Sequence, residues 1–141
     1  MEEGRIRAST ICVIRHQDRI LAAPGYAGGK GVFYRPLGGE INFGERSREA
    51  IRRELQEEIR VEITDPRYLG VIENFYTLYE IPQHELVIVY EADLVDRSLY
   101  EAPSMQGEEG GQTFRVEWVS LSEFTEGRAS LFPDGLLDML V

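Results

Sequence analysis

Cysteine is nearly absent from this chain of 141 residues. Cys12 is the single one, so no intramolecular disulfide can form, which suits a reducing compartment. It sits in a β-like apolar run, where a thiol is expected as a small core residue and not as a nucleophile. Apolar runs of roughly 18 residues, the length of a membrane span, are missing too. The start, Met1-Glu2-Glu3-Gly4-Arg5, lacks the basic-then-apolar order of a secretory signal. The expectation is a cytoplasmic protein with no membrane partner. Positive charge is scarce: 15 Lys and Arg face 25 Asp and Glu, leaving a net charge of −10. That balance argues against a broad basic surface for nucleic-acid backbone, so no nucleic-acid polymer is expected. A phosphate substrate stays compatible if a divalent cation cancels the local charge. Histidine is rare as well. His84 is one of two, and without a second ligand nearby in sequence it does not read as a metal ligand.

What is present reads as one globular domain over residues 1–141, with 43% hydrophobic and 28% charged residues and neither repeat nor composition break. Residues 6–14 and 19–23 read as strands joined by a bend at 16–18. Gly25-Tyr26-Ala27-Gly28-Gly29-Lys30-Gly31 reads as a mobile loop near the site. It matches no dinucleotide or P-loop pattern, and its sole lysine, Lys30, reads as a solvated tip. A short strand at 32–35 runs into Pro36-Leu37-Gly38-Gly39, which reads as a turn. Residues 46–59 contain no Gly or Pro and favour helix. Strands are expected at 68–78 and 86–94 with a turn at 81–84, then an acidic, Gly-rich loop at 103–112 and a strand at 113–121. Ser120 and Glu123 have capping-box spacing for a short helix. Pro133 suits the first turn of a last helix carrying Leu136, Leu137 and Leu140. The order is mixed α and β.

The helix at 46–59 clusters carboxylates, and by itself it reads either as a charged surface helix of an acidic protein or as a metal-binding face. With Glu54 as origin, Glu57 falls about 60° to one side and Glu58 about 40° to the other. Ile51, Leu55 and Ile59 form an apolar stripe that begins next to this acidic arc. A purely solvated acidic face would normally point away from the core. Like charges at these spacings repel by a few tenths of a kcal/mol per pair, and a hard cation such as Mg²⁺, which prefers carboxylate oxygens, would offset that.

Gly39, five residues, Glu45, seven residues, then Arg53-Glu54-Leu55-Gln56-Glu57-Glu58-Ile59-Arg60-Val61 resembles the Nudix box, G-x5-E-x7-R-E-U-x-E-E-x-G-U with U aliphatic. Every specified position agrees except the last glycine, which is Arg60. A chance match to the others is on the order of 10⁻⁵ for this composition. The resemblance implies an α+β fold, a mixed β-sheet sandwiched between α-helices, with the box forming a loop, a helix and a loop. It also implies a hydrolase that cleaves a phosphoanhydride bond in a nucleoside diphosphate-linked or triphosphate substrate using Mg²⁺, with Mn²⁺ as substitute. Carried over residue by residue, Glu54, Glu57 and Glu58 would bind metal, joined by the Gly38 carbonyl. Glu45 would pair with Arg53, orienting the loop against the helix, and would share in metal binding or catalysis. Leu55 and Val61 would pack. The general base stays open among Glu58, Glu45 and a distant loop acid, with Glu108, Glu109 and Glu117 in view.

Arg35 is a candidate for a substrate phosphate, with a surface ion pair as its plain alternative. Tyr76 and Tyr79 lie where a tyrosine occurs in relatives acting on dinucleoside polyphosphates, although strand packing explains them as well. Two other functions compete with the hydrolase: a Nudix-fold ligand sensor without catalysis, and a protein-interaction domain with an incidental acidic helix. The four box glutamates and Arg53 disfavour both. A homodimer is left open, and the substrate beyond its phosphates is unreadable in the motif.

Overall fold

The computed structural model describes residues 4–26 and 32–141. Lys30 and most of the expected glycine-rich loop lie outside the described residues. Among the described residues, ten strands and three α-helices follow in the order β1 (Ile6–Val13), β2 (Arg15–His16), β3 (Arg19–Tyr26), β4 (Val32–Arg35), β5 (Leu37–Glu40), α1 (Ser47–Ile59), β6 (Arg67–Leu78), β7 (Ile81–Glu91), β8 (Ser104–Glu109), β9 (Gln112–Ser120), α2 (Leu121–Thr125), β10 (Ser130–Leu131) and α3 (Leu136–Leu140). A short 3₁₀ helix, Arg97–Glu101, precedes β8.

Two sheets carry the fold. One has the order β5-β1-β7-β6, with β1 parallel to β7 and antiparallel to β5. The other runs β10-β4-β3-β9-β8, with β2 paired to β3. Side chains alternate across each strand, and the alternation produces two apolar layers. Ile51, Leu55 and Ile59 of α1 pack on Cys12, Ile14, Leu21, Leu37, Tyr90 and Val116. On the opposite faces Val13, Ile20, Val89 and Val119 pack with Phe124 of α2 and Leu136 and Leu140 of α3. The sheets are thus sandwiched between helices, in the expected α+β class. Cys12 is a buried core thiol, and burial, then the Glu91 carboxylate, pushes it up to about 12. No helix among the described residues is long and apolar enough to cross a membrane.

Several boundaries differ from the sequence reading, each for a local reason. Pro36-Leu37-Gly38-Gly39 is not all turn: Leu37–Glu40 is a strand, because Gly38 and Gly39 pair with Ile11 and Thr10 of β1. Gly25 and Tyr26 extend β3 opposite Phe33 and Val32. The turn expected at 81–84 lies earlier. Tyr79 and Glu80 both take positive φ, 49° and 66°, forming a two-residue hairpin turn that lets Leu78 pair with Ile81. The acidic segment at 103–112 is a hairpin and not a loop: β8 pairs with β9 through the positive-φ turn Gly110-Gly111. Ser120 does precede α2 but its side chain makes no capping bond. Pro133 lies ahead of α3, which starts at Leu136.

Candidate functional site

The glycine pair on β5 sets how closely three layers approach. A Cβ on Gly38 would stand 1.9 Å from the Thr10 carbonyl oxygen, so only glycine lets β5 lie this close to β1. A Cβ on Gly39 would stand 2.4 Å from Cδ of Glu54 and 2.5–2.6 Å from its oxygens. The Glu54 carboxylate therefore rests on the bare backbone of β5. A side chain from α1 and the main chain of the glycine strand are brought together by a missing methyl group.

Arg53 is the hub that orders the loop after β5. Its Nε and Nη2 donate to the two oxygens of Glu45 at 2.7 and 3.0 Å, a bidentate pair. Nη1 donates to Glu54 Oε1 at 2.9 Å and Glu57 Oε2 at 3.2 Å, and Nη2 also reaches the Glu40 carbonyl at 3.2 Å. Glu45 closes its own turn as well. It accepts the Asn42 N–H at 3.1 Å, while its N–H donates to the Asn42 carbonyl at 3.0 Å across Gly44, whose φ is 83°. The bond from Arg53, then that from Asn42, holds the Glu45 carboxyl below the usual carboxylate range. Glu45 in turn raises the Arg53 guanidinium.

Glu58 is the unusual member. It is 4% exposed, neither carboxylate oxygen receives a donor group, and its carboxyl lies against that of Glu54, close enough to share a proton. An orphaned buried carboxyl is penalised as an anion. Burial, then the Glu54 and Glu109 carboxylates, pushes it up to about 8 against a partial downward pull from Arg35. Three groups from three elements thereby bear on Glu58: Glu54 on α1 itself, Arg35 at the end of β4, and Glu109 at the tip of β8.

The sequence-derived residues thus fall into two groups. Gly38, Gly39, Glu54 and Glu58 form the inner part, with Arg35 and Glu109 in electrostatic reach of Glu58. Glu57 is on the outer part. Its side chain is 59% exposed and turned to Arg53. Among the described residues no three His, Cys, Asp or Glu side chains converge as a ready-made metal cluster. The donor chemistry nevertheless fits a hard cation, since Glu58 presents two buried oxygens that receive no donor group, beside a Glu54 carboxylate that itself lies on the β5 backbone. Of the three distant acids, Glu117 is occupied by the Tyr34 hydroxyl at 2.9 Å and Arg115 at 3.1 Å. Glu108 lies across the pleat from Glu109. Tyr76 accepts a bond from Arg7, His84 stacks on Phe75, and Glu85 binds Ser9 and Asn74, all on β1, β6 and β7. Sequence reasoning missed the Asn42 turn, though an Asn three residues before Glu45 with Gly between was a usable turn signal.

Comparison with known proteins places this geometry. The NUDIX domain model matches residues 4–139. No curated protein matches the chain. Among solved structures, the MutT protein from Methanosarcina mazei Go1 is similar with a TM-score of 0.65 at 20% identity, over 99% of this chain and 92% of that one. A NUDIX hydrolase from Nitrosomonas europaea gives 0.66 at 17% identity over 96% and 86%. The MutT NUDIX hydrolase from Burkholderia pseudomallei gives 0.63 at 19% identity over 84% and 85%. At these identities the structures establish a shared fold.

Proposed function

The chain belongs to the Nudix hydrolase family, and from that premise we propose that it is a divalent-metal-dependent pyrophosphohydrolase acting on a nucleoside triphosphate or a nucleoside diphosphate linked to a second group. The observation that carries the reading is Glu58: a buried carboxyl with no donor group on either oxygen, against a Glu54 carboxylate laid on Gly39. Glu54 and Glu58 would hold Mg²⁺, or Mn²⁺ in its place, with the Gly38 carbonyl. Glu57 would join by leaving Arg53, an exposed contact that is weak to break. The bound ion supplies charge neutralisation at the phosphate oxygens and an acidified water. Arg53 holds Glu54 and the Glu45 loop in place, which limits reorganisation during the reaction. Arg35 offers a fork of donors to a phosphate.

Proton removal is better served by some carboxylates than others. Glu45 is held by three hydrogen bonds and kept below its ordinary pKa, so its role is to orient Arg53 and not to accept a proton. Glu58 and Glu109 stay as the candidates for the base. A sensor without catalysis would not need a buried carboxyl that no donor group reaches, set among other carboxylates that repel it. The discriminating experiment is a panel of nucleoside triphosphates, nucleotide sugars and dinucleoside polyphosphates with Mg²⁺, following release of phosphate, pyrophosphate or nucleoside monophosphate. Metal-dependent release from at least one substrate is expected. Release from none, or release that survives exhaustive chelation, refutes the reading.

A further inference from the structure

Where α1 no longer covers it, the four-stranded sheet lies open on the face that carries the site. Gly39 of β5 pairs with Thr10 of β1. Four residues earlier on β1, Ile6 pairs with His84 of β7, which pairs in turn with Phe75 of β6. Alternation puts the side chains of Ile6, His84 and Phe75 on the same face as Thr10, the face on which Glu54 rests against Gly39. Between these two rows, Ala8 and Leu86 pair with each other and are exposed. The bare track runs roughly 13 Å along β1 at the usual rise per residue. It ends in a hollow of about 430 Å³ whose lining includes Arg5, Ile6, Phe75, Pro82, Gln83 and His84.

The lining suits a flat ring with a polar edge. Phe75 is 64% exposed and backed by the His84 ring at 4.3 Å, with 33° between the planes, so an aromatic surface is already oriented for stacking. His84 Nε2 is buried without a partner in the protein, and such a nitrogen gains when a ligand supplies the missing hydrogen bond. Arg5, held by Glu40 of β5 at 2.9 Å, adds a guanidinium in a chain of net charge −10, which favours an anionic ligand. We propose that this hollow holds the nucleobase of the substrate, with the ribose and phosphate chain running back over Ala8 and Leu86 toward the carboxylates of α1. The placement rests on the hydrolase reading above and adds where the base is read. An extended nucleoside triphosphate, or a longer conjugate of a nucleoside diphosphate, has that reach.

Histidine resonances test it, because the chain has two histidines and the other, His16, is packed against Tyr100 and Trp118. With both rings isotope-labelled and His84→Gln used to assign the signals, adenosine or cytidine monophosphate at millimolar concentration in chelator should shift the His84 ring and leave His16 in place. Ribose 5-phosphate, which carries the phosphate without a base, should shift neither. Phe75→Ala should weaken this titration and raise KM for the cleaved nucleotide about tenfold, within the range of one lost base–aromatic stack. Its kcat should stay within about twofold, because binding is lost equally from ground and transition states. No shift at His84 with either nucleotide, an equal shift with ribose 5-phosphate, or a Phe75→Ala variant that binds like the parent overturns the proposal. The titration needs neither metal nor turnover. A chain that hydrolyses nucleotides without engaging His84 therefore refutes the base site alone, and one that engages the base at His84 but hydrolyses nothing refutes only the reaction.

Discussion

Arg60→Gly should stabilise the protein slightly and leave turnover alone. Arg60 caps α1 with φ 57° and ψ 40°, in the left-handed region, where its N–H still donates to the Gln56 carbonyl at 3.0 Å. A residue with a Cβ pays about 1–2 kcal/mol for that conformation, and glycine avoids it. Two losses act against the gain. Glycine widens the unfolded ensemble, worth about 0.4–1 kcal/mol. The arginine charge at the helix C-terminus is also lost, about 0.3 kcal/mol for an exposed group screened by salt. The net is a gain of about 0.5 kcal/mol, or roughly 2 °C in Tm for a domain of this size. Arg60→Ala separates the contributions, because it removes the charge while keeping the Cβ, and should melt at or below the parent. Differential scanning calorimetry of the three chains in chelator reads these shifts, with a Mg²⁺-dependent hydrolysis assay alongside. If Arg60→Gly melts lower than Arg60→Ala, the cap argument is wrong. A tenfold loss of turnover would put Arg60 in the site, which its exposed position beyond the helix does not suggest.

Glu57→Gln and Glu58→Gln should each lower metal-dependent turnover by at least about tenfold, while metal-free Glu58→Gln melts at or above the parent because it removes a buried unpaired acid. Turnover within twofold of the parent for both variants would sink the metal assignment. In chelator, Tm should fall as pH rises from about 4.5 toward about 8. The folded chain keeps the Glu58 proton that the unfolded chain releases, so this stabilisation is full below the lower value and lost through the upper one, at no more than about 1.4 kcal/mol per pH unit. Glu45, lowered by Arg53, acts oppositely, its stabilisation fading only below 4.5. Saturating Mg²⁺ should offset the decline, adding about 2.7 kcal/mol at a hundredfold excess over its Kd, and Glu58→Gln should show no such slope; a parent slope that persists in Glu58→Gln assigns it elsewhere. Gly39→Ala should weaken Mg²⁺ binding in calorimetry with a modest change in melting, because its Cβ meets the side-chain carboxylate of Glu54 and no backbone atom. Gly38→Ala should melt much lower, because its Cβ meets the Thr10 backbone; equal melting of the two variants would contradict the strand-contact reading.

Local sequence settled the helix and the box. Residues 47–59 form α1 because no Gly or Pro interrupts them, and the angles between Ile51, Leu55 and Ile59 dictate which face is buried. The resemblance to the Nudix box implied a contact between Glu45 and Arg53, and the structure holds it as a bidentate pair across the loop. Tertiary contacts decided what spacing cannot hold. Glu57 and Glu58 are neighbours in sequence, yet one is 59% exposed and the other buried, because one side of the helix meets β5 and β8 and the other meets solvent. The glycine pair reads locally as a turn, but it becomes a strand by pairing with Thr10 and Ile11, far earlier in the chain. Glu108, Glu109 and Glu117 look alike in the sequence, and only the fold turns Glu117 to Tyr34 and Arg115 and brings Glu109 into electrostatic reach of Glu58. Periodicity and backbone preference act over a few residues and are written in the string. Burial and electrostatic reach depend on which distant segments the packed core brings together, and only the fold supplies that.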